Sequence, residues 1–193
     1  MARKKEFNEE ALLDKAVNLF WRKGYHATSA QDLVDELGIS RSSLYDTYTD
    51  KRTLFKESLK QYQLCNTNAL LKMVDESKDA EQTVHQIFQN ILKESTADET
   101  HKGCFMVNTA VEFSGQDKEI EELVNQNNKS VEDALALLVR KGQADGQFST
   151  KKTPRAFARF LFTSISGLLV AARSGSDRRV LSDIVEVVLA SLK

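Results

Sequence analysis

Apolar side chains fall at Leu12, Ala16, Leu19 and Phe20 within residues 6–23, the i, i+4, i+7, i+8 rhythm of one helical face, and Gly24 follows where a left-handed cap would stop a helix. A shorter stripe, Ala30, Leu33, Val34 and Leu37, predicts a second helix of about nine residues. Thr28 and Ser29 stand before it; either hydroxyl can accept from free amides of the first turn, and Gln31 or Asp32 can return the bond of a capping box. Gly38 then supplies a residue to which φ > 0 is cheap, Ile39 can fold back on the helix just ended, and Ser40 is a good N-cap for a third helix. Leu44 and Tyr48, four apart, give that helix a buried side and leave Arg41, Ser42, Ser43, Asp46 and Thr47 outward. Helix, glycine turn and capped helix is the order of a helix-turn-helix.

Periodicity continues beyond it. A long helix is predicted over 51–73, with Phe55, Leu59 and Tyr62 on one face. Val84, Ile87, Phe88, Ile91 and Leu92 mark another, and the polar stretch "ADETHKG" reads as a loop. "CFMVNTAVEF" is an apolar run of either type, taken as helix from its neighbours. Ile120, Leu123, Val124, Val131, Leu135 and Leu138 give a helix of more than about twenty residues, closed by a turn around Gly142, Gly146 and Pro154. The last two segments, 154–173 and 177–192, are apolar around much of their circumference. A helix of that kind needs more than one neighbour, and a second copy of the chain, meeting it in a self-complementary four-helix interface, supplies the neighbour.

One proline and eight glycines in 193 residues favour long helices over strands and tight turns. The expectation is an all-α chain of about nine helices, divided into residues 1–50, a helix-turn-helix domain, and residues 51–193, a helical ligand-binding and dimerisation domain. A formal net charge of −1 argues against coating nucleic acid through bulk charge, so any DNA contact must be local. No run reaches the roughly 18 uninterrupted apolar residues of a membrane span, and the start has no apolar segment behind its basic residues. A cytoplasmic protein with no membrane partner is expected. Cys65 and Cys104 suggest reduced thiols rather than a disulfide framework. His26, His85 and His101 are scattered, and there is no nucleophile elbow, phosphate loop, dinucleotide glycine pattern or tight cysteine and histidine spacing; neither an enzyme, a metal site nor a cofactor is expected. Helical amphipathicity alone would also suit a protein-interaction module without DNA binding.

The stretch "TSAQDLVDELGISRSSLYDTYTDKRTLF" narrows the choice, for it resembles the N-terminal domain of the tetracycline-repressor (TetR) family of bacterial regulators. That resemblance implies a homodimeric repressor of a palindromic double-stranded DNA operator, released by a small molecule bound among its C-terminal helices. It implies phosphate contacts for Thr28, Tyr45 and Lys51, and base contacts for Arg41, Ser42, Ser43 and Thr47. Hydroxyls, helix N-termini and lysine position a protein on phosphate, whereas arginine reads guanine with two hydrogen bonds. Tyr48 belongs to the same surface by position, although its spacing from Leu44 suits core packing. Ser42 replaces a common glycine and Asp46 a common aromatic or histidine, which changes the expected contacts but not the docking mode. Arg3, Lys4 and Lys5 could form an arm on DNA.

"HKGCFMVNTAVEF" resembles the Gly-Cys start of a sensor helix in family members that answer reactive electrophiles. Helix-terminal amides and Lys102 would favour a thiolate at Cys104, making it a candidate sensor; a small buried apolar residue is the plainer reading. Phe88, Phe105, Phe113 and Phe162 are the expected lining of an effector pocket.

Overall fold

The structure is a computed structural model that describes residues 8–97 and 102–193; Arg3, Lys4, Lys5 and His101 lie outside them. Among the described residues there are nine helices and no strand. They are α1 (Glu9–Lys23), α2 (Ala30–Leu37), α3 (Arg41–Tyr48), α4, α5 (Ala80–Ala97), α6 (Phe105–Phe113), α7 (Lys118–Ala144), α8 (Pro154–Arg173) and α9 (Arg178–Ala190). α4 is one rod in three parts: Lys51–Tyr62, a π-helical turn at Gln63–Thr67, and Asn68–Asp75. The run of ambiguous type is thus the helix α6.

The helix starts follow local chemistry. Asn8 caps α1 through Glu10 and Ala11, and Ser29 with Asp32 completes the capping box of α2. Ser40 accepts from Ser43 N–H, and Asp50 from Thr53 N–H at 2.6 Å. Gly38 takes φ 68°, the left-handed conformation expected of it. Between α3 and α4 the chain turns more sharply than the sequence suggests. Thr49 sits at φ 65°, ψ −56°, and Asp50 N–H donates to Tyr48 O at 2.6 Å. This is a γ-turn that costs a non-glycine residue about 1–3 kcal/mol, and it sets Asp50 where it caps α4.

Two cores form. The first takes α1–α3 and the first part of α4, with Phe105, Met106 and Phe113 of α6 and Ile120 and Val124 of α7. The second takes the rest of α4 and α7 with α5, α8 and α9. The cores therefore do not part at residue 50, because α4 and α6 complete the base of the helix-turn-helix block. α8 is long and apolar enough to cross a membrane by composition, with 33% of that stretch buried. Leu161, Ile165 and Leu168 on its inner face enter the second core, while Phe160 and Val170 stand 41% and 46% exposed.

An ion pair ties α4 to the start of α7. Arg52 Nε and Nη2 donate to the two Asp117 oxygens at 2.7 and 3.0 Å, and Nη2 also reaches Glu119 at 2.7 Å. Lys56 joins Glu119 as well. Asp117 is also the N-cap of α7, accepting from Glu119 and Ile120 N–H. The Arg52 guanidinium holds its carboxyl at about 2, below the ordinary 3.8. A depressed carboxylate stabilises the fold above its ordinary pKa and loses that effect as pH falls through the folded value. Asp117→Asn keeps the cap and removes the charge. Urea unfolding should therefore show wild type more stable than the variant at about pH 6, and the gap should close between about pH 4 and 2. A gap independent of pH would mean that the pair contributes nothing through charge.

Candidate DNA-binding surface and the contacts that reach it

α3 lies on the outside of the first core, held by Leu44 and Tyr48, both buried. Tyr48 is thus a core residue and not part of the presented face. Arg41, Ser42 and Asp46 are exposed; Ser43, Tyr45 and Thr47 are half-buried. Ser40 Oγ lies 2.9 Å from both Ser42 Oγ and Ser43 Oγ, and Thr47 Oγ1 donates to Ser43 O at 2.9 Å. The hydroxyls along the helix are therefore engaged locally. The Arg41 guanidinium stands 5.8 Å from the Tyr45 ring centroid, and Arg41, Ser42 and Asp46 are the exposed residues of the helix.

Two residues expected on phosphate make bonds to the α1–α2 turn. Thr28 is 1% exposed, its N–H donates to Tyr25 O at 3.1 Å and its hydroxyl to Gly24 O at 2.5 Å. It closes the α1–α2 turn. Lys51 Nζ donates to Tyr25 O at 3.0 Å and Thr28 O at 2.8 Å, and lies 4.1 Å from the Tyr25 ring centroid. Burial pushes its ammonium below the usual lysine pKa. The cause is geometric: the turn leaves carbonyls without helical partners, and the lysine at the start of α4 is the nearest donor.

The same turn is held from the C-terminal side. Glu112 of α6 accepts from Tyr25 N–H at 3.0 Å and His26 N–H at 2.7 Å. Gly24, at φ 85°, leaves room for that carboxylate, since a Cβ there would stand 3.1 Å from Glu112 Oε2. Arg173, at the end of α8, donates to Trp21 O at 3.2 Å, Lys102 O at 2.5 Å and Arg22 O at 3.4 Å, while Trp21 Nε1 donates to Gly103 O at 3.0 Å. A cation on the last carbonyls of α1 is favoured by their partial negative charge. Gly103, at φ 68°, admits the crossing, because a Cβ would meet Leu169 O at 3.2 Å. Sequence reading did not find Glu112, Trp21 or Arg173. A carboxylate in the apolar run "AVEF" and a basic residue ending an apolar helix were the available signals.

α6 begins beside a cavity of about 280 Å³ between the α4 π-helical turn, α5, α7 and α8. Of the expected lining, Phe162 is on its wall, as is Cys104. Phe88 is buried in the second core, and Phe105 and Phe113 in the first, so these three are not on that wall. Large rings at helical spacing went to the tightest packing. Cys65, exposed on the π-helical turn, is a second thiol on the wall. Cys104 is the N-cap of α6, and Tyr62 O–H donates to its sulfur at 3.7 Å. Burial, with Cys104 adding to it, raises the Tyr62 phenol well above its ordinary pKa, so it remains a donor to that sulfur. No cluster of three metal-binding side chains occurs among the described residues.

Comparison with known proteins agrees with the geometry. Residues 12–58 match the family profile of bacterial regulatory proteins of the tetR family, and residues 80–188 that of the tetracyclin repressor-like C-terminal domain. The chain is 33% identical to the HTH-type transcriptional regulator YezE of Bacillus subtilis over 193 residues, all of both chains. It is 31% identical to the HTH-type transcriptional repressor ComR of Escherichia coli over 188 residues, 97% of this chain and 90% of that one. A cysteine mutant of the TetR family regulator CifR, solved with a 26-base-pair operator duplex, superposes with a TM-score of 0.88 at 25% identity, covering 99% of this chain and 100% of the other. A helix-turn-helix joined through a shared core to a helical C-terminal body, in a chain related over its whole length to transcriptional regulators, identifies this chain as a member of the TetR family of DNA-binding transcriptional regulators.

Proposed function

We propose that the chain is a homodimeric repressor that reads a palindromic operator through α3 and is released when the cavity beside Cys104 is filled or the thiol is modified. The observation that carries this reading is the span of α6. Its first turn borders the cavity at Cys104 and its last turn holds the DNA-side turn through Glu112. The two points are about 12 Å apart along one short helix, too short to bend between them. A shift at the cavity is thereby delivered to the α1–α2 turn.

The dimer face supports the same reading. Phe160 and Val170 on α8 and Val180 and Val187 on α9 are 41–69% exposed on the two helices that the sequence expected at a self-complementary interface. A second copy on that face places two recognition helices to meet successive major grooves, about 34–36 Å apart, and a displacement of α6 changes that spacing. Arg41 is the side chain best placed for base reading, with Ser42 and Asp46 also exposed on α3. Lys51 and Thr28 act through the shape of the turn that carries α2.

Arg41→Ala should cut discrimination between the selected operator and a scrambled duplex by about 1–3 kcal/mol, measured by fluorescence anisotropy. Lys51→Ala should lower unfolding stability by about 1–3 kcal/mol and leave the slope of log affinity against log salt unchanged. A shallower slope for Lys51→Ala would return that lysine to the phosphate. Cys104→Ser should bind operator as wild type does and resist release by N-ethylmaleimide. Release that persists in that variant would remove Cys104 as the trigger.

A further inference from the structure

The cavity wall changes character along its length. Ile87, Asn90, Ile91 and Glu94 follow one another at helical spacing on the inner face of α5, so the wall runs from a buried isoleucine to an exposed carboxylate. Leu70 and Met73 of α4 line the apolar part. The rings of Trp21 and Tyr62, edge to face with centroids 5.0 Å apart, line the same cavity. The Glu94 charge is close enough to Tyr62 to be among the influences that raise its phenol. Among the described residues no lysine, arginine or histidine lines the cavity. Lys102, whose ammonium stands 4.6 Å from the Trp21 centroid and reaches Asn18 at 3.4 Å, is not on the wall.

A carboxylate and two aromatic rings lining one cavity attract a cation by charge and by the ring quadrupoles, and the carboxylate repels an anion. The Asn66 carboxamide, whose nitrogen donates to Tyr62 O, keeps its oxygen as an acceptor for an ammonium head. A volume of about 280 Å³ is at the small end for a ligand cavity and suits a small occupant. Resting on the reading of this cavity as the effector site, we propose that it takes a small amphipathic cation, an alkyl or aralkyl ammonium whose head meets Glu94, Trp21 and Tyr62 and whose tail lies along Ile87, Ile91 and Leu70.

The test titrates full-length protein by calorimetry with octylamine, octanol and octanoate, which share a tail and differ in head charge. Octylamine should bind about tenfold or more tighter than octanoate, with octanol between them. Glu94→Gln should bring octylamine to the affinity of octanol and leave octanol unchanged. Equal binding of octylamine and octanoate, or a preference for the amine that survives in Glu94→Gln, would overturn the charge assignment while leaving the cavity as a ligand site. Ile91→Phe, with Ala69→Phe as a second filling variant should the first not fold, should abolish all three. Octanol binding that persists in a folded filling variant, or no binding by any of the three, would instead overturn the cavity reading and the proposal with it.

Discussion

Phe55 is the packing on which the two halves of the molecule agree. It is fully buried, edge to face with Phe20 at 5.0 Å and Phe105 at 5.5 Å, and stacked on Phe113 at 5.2 Å, with Tyr25 at 5.0 Å completing the ring of contacts. Each aromatic pair adds about 0.5–1.5 kcal/mol beyond the area it buries, and the geometry of edges and faces admits few alternatives. α6 supplies two of the four partners, so the recognition block has no complete core without a helix from the C-terminal half. Every rigid-body adjustment of α6 is consequently felt under α1 and α4.

Polar contacts convert that shared core into a directional linkage. Glu112 bonds two consecutive amides of the α1–α2 turn, Lys51 bonds the carbonyls of the same turn, and Arg173 bonds the carbonyls that end α1. All three bond backbone groups at or just beyond the end of α1, so their geometry is fixed by the backbone and not by flexible side-chain partners. Glycine at positions 24 and 103 lets Glu112 and Arg173 come that close. The cavity lies on the other side of the same helix start, where Trp21, Gly103 and Cys104 are wall and linkage at once.

Much of the fold was legible because helical periodicity and caps are local. The stripe from Leu12 to Phe20, the Ser29 and Ser40 caps and Gly38 at φ > 0 all appear where the sequence places them. What was not legible depends on who else packs at a position. Nothing in "QYQLCNTNA" announces the π-helical turn at Gln63–Thr67, which carries Cys65 to the cavity. Phe105 and Phe113 look the same in sequence whether they face a ligand or another ring. Thr28 and Lys51 have the right chemistry for phosphate, and their bonds to carbonyls of a turn closed in three dimensions are not visible in the sequence. Family resemblance located the surface; only the packing sorted residues that present themselves from residues that hold others in place.

The linkage through Glu112 is open to direct measurement by hydrogen exchange at the Tyr25 and His26 amides, in a Cys65→Ser background whose remaining thiol is alkylated or free. If α6 carries the signal, alkylation that lowers operator affinity will also speed exchange at these two amides by about tenfold or more, as their bonds to the carboxylate loosen. Lowered operator affinity with unchanged exchange at both amides would contradict the account, and the signal would have to reach α3 by another route.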